Sequence, residues 1–140
     1  MIEIIDNGKI EKAMSNNHRQ YLVGDLKLPQ ELEFIRDKDV EMGMTNYSEY
    51  SLEKPHYHTK VTEYQIILNG SAKYIDLDLN KEITVTKGDV FVIRPNTRYI
   101  QKSPKGTVIL FFKYPGINDK MLIDCTDKML DWGQCWEKEW

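Results

Sequence analysis

The sequence has no hydrophobic run long enough to cross a membrane, few cysteines and no excess of basic residues. Its longest apolar runs, such as Val108 to Phe112, have the length of a β-strand and fall far short of a spanning helix. The formal net charge of −3 gives no support for nucleic-acid binding, because such proteins usually carry a concentrated basic patch. We therefore expect a protein with neither nucleic acid nor membrane as a partner.

The lack of a basic N-terminus and the low number of cysteines bear on the cellular compartment. The first six residues, MIEIID, place acidic side chains where a secretory signal needs basic ones. The two cysteines, Cys125 and Cys135, both lie near the end of the chain, and without a secretory context we expect reduced thiols. Their spacing does not match the CxxC pairs of zinc sites. These features predict a cytoplasmic protein without a disulfide.

The length of 140 residues suits one domain, and 41% hydrophobic with 29% charged residues is typical of a globular protein. We predict a single domain over residues 1–140, with a β-rich core at about residues 31–115. The N-terminal segment, residues 1–30, contains a possible short helix around Glu11 to Ser15 and an extended stretch from Gln20 to Val23. Residues 116–140 form a tail of different character.

The core shows short strand-like runs separated by turn signals at a spacing of roughly 8–12 residues, which predicts an all-β sandwich or barrel. Asn69-Gly70 is a dipeptide that favours a hairpin turn. The predicted strands are Glu63 to Leu68, Ser71 to Leu79, Glu82 to Thr86, Val90 to Ile93 and Thr107 to Lys113.

The tail carries all three tryptophans, Trp132, Trp136 and Trp140, at positions i, i+4 and i+8. A helix would stack the three indoles on one face. We expect a short C-terminal helix that packs this face on the barrel or on a second subunit. An aromatic lid over a ligand is the alternative.

Two of the three histidines, His56 and His58, are separated by one residue. On a β-strand they would point to the same face, because side chains alternate with period 2. Glu63 lies five residues further on, so it can join them only if the chain turns between His58 and Glu63. Two histidines and one carboxylate can bind a divalent metal and leave positions open for substrate or water. Two surface histidines beside a surface glutamate would be the alternative.

The segment HYHTKVTEYQIILNG resembles the first motif of the cupin superfamily, with His56, His58, Glu63 and Gly70 at matching spacings. The segment GDVFVIRPNT, from Gly88 to Thr97, resembles the start of the second cupin motif. The resemblance implies a single-domain cupin-type β-barrel (a double-stranded β-helix, or jelly roll). It also implies one divalent metal ion in the barrel, whether Fe, Mn, Ni or Zn.

The sequence departs from the cupin pattern where the second motif normally supplies a further histidine ligand. That place reads Thr97-Arg98-Tyr99, and the remaining histidine, His18, lies in the N-terminal segment. Tyr99 could be a phenolate metal ligand, a proton donor or acceptor beside the metal, or a space-filling residue where a metal site was lost. We favour the proton-transfer role, which makes Tyr99 and Glu63 the candidate catalytic residues.

Candidate substrate-binding residues are Gln65, Arg94 and Arg98. Gln65 shares the strand face of Glu63, and a guanidinium suits the recognition of a carboxylate or phosphate. Solvated charges beside a turn are the alternative for the two arginines.

Three functions remain open from the sequence. The first is a metal-dependent isomerase or epimerase acting on a small oxygenated metabolite such as a sugar or sugar phosphate, with the metal as Lewis acid. The second is a non-haem iron dioxygenase, and the third is a non-catalytic cupin that binds or senses a small ligand. We expect a homodimer formed through sheet edges or terminal segments.

Overall fold

The protein, described here by a computed structural model of residues 1–140, consists mainly of β-strands, as predicted. Twelve strands are accompanied by two short helices. The strands are β1 (Arg19–Gly24), β2 (Ile35–Arg36), β3 (Glu41–Asn46), β4 (Ser51–Leu52), β5 (His56–His58), β6 (Thr62–Asn69), β7 (Ser71–Asp76), β8 (Lys81–Thr86), β9 (Val90–Ile93), β10 (Tyr99–Ser103), β11 (Val108–Tyr114) and β12 (Lys120–Leu122). The helices are α1 (Asn7–Asn16) and α2 (Asp127–Trp132).

The strands form two sheets. In the first sheet the order is β2-β1-β3-β11-β6-β9, and in the second it is β12-β5-β10-β7-β8, with β4 also paired to β10. All pairs are antiparallel except β1 with β2. Apart from β1 with β2 and β7 with β8, neighbouring strands are not consecutive in the chain, so residues far apart in sequence share one interior.

The core lies between the two sheets. Its main cluster has eight buried members, drawn from both sheets and from the loop after β3: Tyr47, Ile67, Ala72, Tyr74, Val85, Ile93, Tyr99 and Ile109. Burial of apolar side chains on the facing surfaces is what holds two sheets together. A turn is present at Asn69-Gly70, and Gly70 adopts a φ of 76°, a conformation that glycine tolerates best. The predicted hairpin is wrong, however, because β6 lies in the first sheet, β7 lies in the second, and the two strands do not pair.

The N-terminal helix covers part of the outer face of the first sheet. Asp6 caps α1 by accepting a hydrogen bond from the backbone N–H of Lys9 at 3.0 Å. Ala13 in α1 packs with Leu22 and Leu32. The predicted helix is therefore confirmed, and it begins four residues earlier than Glu11.

The C-terminal helix is present, but the prediction that it carries three stacked tryptophans is wrong. Helix α2 ends at Trp132, so Trp136 and Trp140 lie beyond it. At Gly133 a Cβ atom would lie 2.3 Å from Cδ2 of Leu52, so the tail passes very close to β4 at this residue. The close contact with the barrel, rather than helix periodicity, determines the path of the chain here.

Beyond α2 the tail wraps around the ammonium group of Lys102, which is fully buried. This group donates hydrogen bonds of 2.8–2.9 Å to the backbone carbonyls of Trp132, Cys135 and Lys138. A buried charge is tolerated only when it is well hydrogen-bonded. Lys102 therefore holds the tail against the outer face of the second sheet. Neither helix is long and apolar enough to cross a membrane.

Candidate active site

A partly open cavity of about 160 Å³ lies between the two sheets, and most of the predicted site residues line it. The second sheet contributes His56, His58 and Tyr99, and the first sheet contributes Glu63 and Gln65. The chain leaves β5 after His58 and enters β6, in the other sheet, at Thr62. This turn brings Glu63 to the cavity despite its odd sequence offset from the histidines.

Both histidines of β5 point inward and are largely buried, at 8% and 7% exposure. Nδ1 of His56 is hydrogen-bonded to the carbonyl of Lys54 at 2.8 Å, which fixes the ring and leaves Nε2 for the cavity. Burial lowers the pKa of His56 to about 4, although the Lys54 carbonyl opposes this shift. The imidazole is therefore neutral at neutral pH, the form that binds metals.

His58 is oriented by Asp119, whose carboxylate lies 2.7 Å from Nδ1. The same carboxylate accepts hydrogen bonds from the backbone N–H groups of Lys60 at 2.6 Å and Val61 at 3.0 Å. Burial alone would raise the pKa of Asp119, but these hydrogen bonds outweigh it and lower the pKa to about 2. A carboxylate on the far nitrogen of a histidine is a common support for a metal ligand.

Asp119 precedes strand β12, which the sequence analysis missed. This strand pairs antiparallel with β5 and places Lys120 opposite His58 and Leu122 opposite His56. The apolar run in this region, Met121 to Ile123, is shorter than the four to eight residues that a strand pattern needs. No local signal in the sequence indicates that Asp119 reaches a histidine.

Glu63 and Gln65 belong to a chain of hydrogen bonds that crosses the barrel. The carboxylate of Glu63 accepts a hydrogen bond from Nε2 of Gln65, and Oε1 of Gln65 accepts one from the hydroxyl of Tyr74 at 2.7 Å. This chain involves one oxygen of Glu63, Oε2, and leaves Oε1 without a partner in the protein. Glu63 is thus held in place while one oxygen can meet a ligand.

Tyr99 pairs with His56 across strands β10 and β5, and its ring centroid lies 4.6 Å from that of His56. The hydroxyl has no hydrogen-bond partner in the protein and opens into the cavity. Burial, followed by the charge of Glu63, raises the pKa of Tyr99 well above its usual value. The phenol is therefore protonated and able to donate a hydrogen bond or a proton.

The residues that line the cavity meet some, but not all, of the requirements of a divalent metal site. The two imidazoles present free Nε2 atoms with anchored Nδ1 atoms, which suits metal binding. However, no three histidine, cysteine, aspartate or glutamate side chains are grouped so that they could hold a metal ion. Glu63, the expected third ligand, is engaged by Gln65 through Oε2 and has only Oε1 free. A third protein ligand would therefore have to be Tyr99 or a rearranged Glu63.

Two of the expected substrate-binding residues are not brought to the cavity. Arg98 lies on the surface, where its Nε donates to Asp78 at 2.7 Å, and Arg94 is also exposed. Both arginines flank the turn after β9. His18 does not line the cavity either, since its Nδ1 bonds to the carbonyl of Asn46 at 2.9 Å. The cations that do line it are Arg19, Lys113 and Lys120.

The wall opposite the histidines depends on a glycine. Phe111 pairs with Gly43 in the neighbouring strand, and a Cβ atom on Gly43 would lie 2.3 Å from Cζ of the phenyl ring. Tyr21 approaches the same ring edge-on, with centroids 5.7 Å apart. Gly43 therefore allows two aromatic rings to close over its backbone.

A barrel of two antiparallel sheets with histidines facing an internal cavity is the architecture of double-stranded β-helix proteins. A profile of the cupin family matches residues 28–120, more than half of the chain. The chain belongs to the cupin family, as the two motifs indicated. Cupins often bind a divalent metal ion. No curated protein is significantly similar in sequence.

Solved structures share the fold at low sequence identity. An uncharacterized conserved protein from Klebsiella pneumoniae with a double-stranded β-helix domain has a TM-score of 0.54 and 14% identity over 63% of this chain and 77% of that chain. The nucleoside dehydratase Pac13 of Streptomyces has a TM-score of 0.54 and 11% identity over 62% of this chain and 70% of its own. Oxalate decarboxylase of Bacillus subtilis, which has Mn(II) centres, has a TM-score of 0.52 and 16% identity over 61% of this chain and 24% of its own. At such identities the likeness shows the fold alone.

Proposed function

We propose that this cupin is a metal-assisted enzyme that moves a proton on a small oxygenated metabolite such as a sugar or sugar phosphate, in an isomerase or epimerase reaction. The observation that supports this most strongly is the arrangement around His56 and His58. Each ring is anchored through Nδ1, by Lys54 and Asp119 respectively, and both face a cavity that also contains an unpartnered tyrosine hydroxyl.

A divalent metal would be held by the Nε2 atoms of His56 and His58, with an oxygen of Tyr99 or Glu63 as a further ligand. Fe, Mn, Ni and Zn all accept imidazole ligands. When bound, the metal would supply a Lewis acid that polarises oxygen atoms of the substrate.

The chain itself offers a proton acceptor and a proton donor on opposite sides of the cavity. Glu63 on β6 is held by the hydrogen bond that it accepts from Gln65 and has an oxygen without a partner. Tyr99 on β10 keeps its proton because its pKa is raised. Isomerisation and epimerisation need one proton removed and one returned, so an acid facing a base suits either reaction.

Two related barrels make this chemistry reasonable for the fold. The Streptomyces barrel is a nucleoside dehydratase that has been solved with uridine, a hydroxylated ligand. The Bacillus subtilis barrel carries Mn(II). For this chain a non-catalytic binding role is the second candidate, and the lack of three grouped metal ligands is the observation that favours it.

The test is solvent deuterium exchange. The metal-supplemented protein is incubated in D₂O with a panel of aldoses, ketoses and their phosphates, and NMR records deuterium at carbon. We expect exchange that is lost in Tyr99→Phe and Glu63→Gln but kept in Tyr64→Phe, whose side chain is 44% exposed.

Other outcomes separate the alternatives. Oxygen consumption that depends on the substrate would favour the dioxygenase. Ligand binding without exchange or oxygen consumption would favour the non-catalytic role. Exchange that persists in both cavity variants would contradict the roles proposed for Tyr99 and Glu63.

A further inference from the structure

A second, larger compartment adjoins the cavity. It is a groove of about 810 Å³ beside the loop of residues 25–30, and residues 116–118 also line it. The cavity and the groove share four lining residues, Arg19, Tyr21, Lys113 and Asn118. These four residues form the boundary between the compartments, so a single ligand can occupy both.

The sizes of the compartments indicate how a ligand is divided between them. Sites for small molecules usually enclose about 300–1,000 Å³. The cavity of about 160 Å³ falls below this range, whereas the groove of about 810 Å³ lies within it. The cavity thus has room for one small end of a metabolite, and the groove has room for the rest.

Positive charge without a close partner collects beside this boundary. Arg19 donates from Nε to Thr45 at 2.8 Å, but its terminal nitrogens have only Glu53 nearby, at 3.6 Å. The ammonium of Lys120 lines the cavity from β12 and forms no ion pair. Lys113, in contrast, is held by Glu41 at 2.5 Å.

The two cations come from opposite sheets and converge on one place. Arg19 lies on β1 in the first sheet, and Lys120 lies on β12 at the edge of the second sheet. Partial burial of the otherwise exposed Lys120 lowers its pKa, and the nearby charges of Arg19 and Lys113 lower it further, although Glu53 opposes them. Two neighbouring cations with free N–H groups form a suitable place for an anion.

We propose that the substrate is an elongated anion whose carboxylate or phosphate is bound between Arg19 and Lys120. Its small reactive end enters the cavity beside His56 and His58, and its remaining part lies in the groove. This assignment of the reactive end rests on the proposed function. The position of the anion does not, because it follows from the two cations alone.

The test measures binding rather than turnover. Inorganic phosphate is titrated into the isotope-labelled chain of residues 1–140, and NMR shifts of the backbone amides are followed. Saturable shifts at Arg19 and Lys120 are expected. Ribose 5-phosphate should bind more tightly than phosphate and should also shift the amides of His56 and His58, because its sugar enters the cavity. Acetate and glucuronate are titrated in the same way to test a carboxylate. Saturable binding of either phosphate or a carboxylate at Arg19 and Lys120 supports the proposal.

Substitution locates the anion. Lys120→Met should weaken phosphate or acetate binding at least about tenfold, the expected size for the loss of a charged hydrogen bond. Arg19→Gln should act in the same way. Lys105→Met removes another exposed charge, from the turn before β11, and should change nothing. Because Lys120 is exposed, its variant should fold even if the Arg19 variant does not.

Three results would overturn the proposal. These are no saturable binding of either anion, equal weakening by Lys105→Met and Lys120→Met, or larger ligands that bind no better than the free anions. Failure here is distinguishable from failure of the proposed function. Deuterium exchange on a neutral sugar without anion binding would support the proposed enzyme function and contradict the anion site. Anion binding without exchange would support the anion site and contradict the enzyme function.

Discussion

Replacing Asp119 with alanine should show how strongly one carboxylate holds the site together. Asp119 has a side-chain exposure of only 10%, and it accepts hydrogen bonds at 3.0 Å or less from His58, Lys60 and Val61. The substitution leaves the N–H of Val61 without a partner, and that residue is 1% exposed. We expect the free energy of unfolding to fall by about 2–4 kcal/mol, since the loss of several hydrogen bonds to a charged acceptor is only partly offset by water.

The assay is urea denaturation followed by far-UV circular dichroism, with the m-value compared between variants. Asp78→Ala is the matched control. Asp78 also accepts two hydrogen bonds, both from Arg98, but its side chain is 44% exposed. An exposed pair of this kind contributes about 0.2–1 kcal/mol. Equal losses in the two variants would refute the idea that Asp119 fastens β12 to β5.

Two further substitutions test the wall of the cavity and the tail. Gly43→Ala should destabilise the protein by about 1–3 kcal/mol in thermal denaturation, because the added methyl group overlaps the ring of Phe111. Phe111→Leu in the same chain should recover part of the loss, and a fully stable single variant would contradict the packing. Lys102→Met should release the tail, because three carbonyls lose their donor. The tail carries every tryptophan, so the indole emission should shift to longer wavelength. The circular dichroism of the barrel should not change. Unchanged emission would contradict the idea that Lys102 holds the tail against the barrel.

The strands could be predicted where one face meets the core and the other meets solvent. Strand β9 has the predicted bounds, and β8 and β11 begin and end within one residue of prediction. Strand β10 could not be found in this way, because all five of its residues are buried. Ile100 points outward yet is covered by Met129 and Trp132 of the tail. A face covered by a distant segment loses the alternation that a strand pattern needs.

The candidate site was predictable as far as its residues follow a local spacing. His56, His58, Glu63 and Tyr99 occur in two short motifs, and all four line one cavity. The residues that orient these four side chains, or that bring charge to the cavity, could not be predicted from a local spacing.

Asp119 lies 61 residues from His58 in sequence, and Arg19 reaches the cavity from the first strand. Arg94 and Arg98 show the opposite case, because a position beside a motif did not bring either side chain inside the barrel. Only the pairing of strands decides which polar residues meet.

The metal content of the purified chain tests the central claim most directly. The protein is incubated with excess Mn(II) or Zn(II), desalted without chelator and analysed by mass spectrometry of the metal. We predict one bound ion per chain in the wild type and in His18→Ala, whose ring lies outside the cavity. His58→Ala should lose the ion. Equal metal content in His58→Ala and His18→Ala, whether high or negligible, would contradict a metal site on the paired histidines.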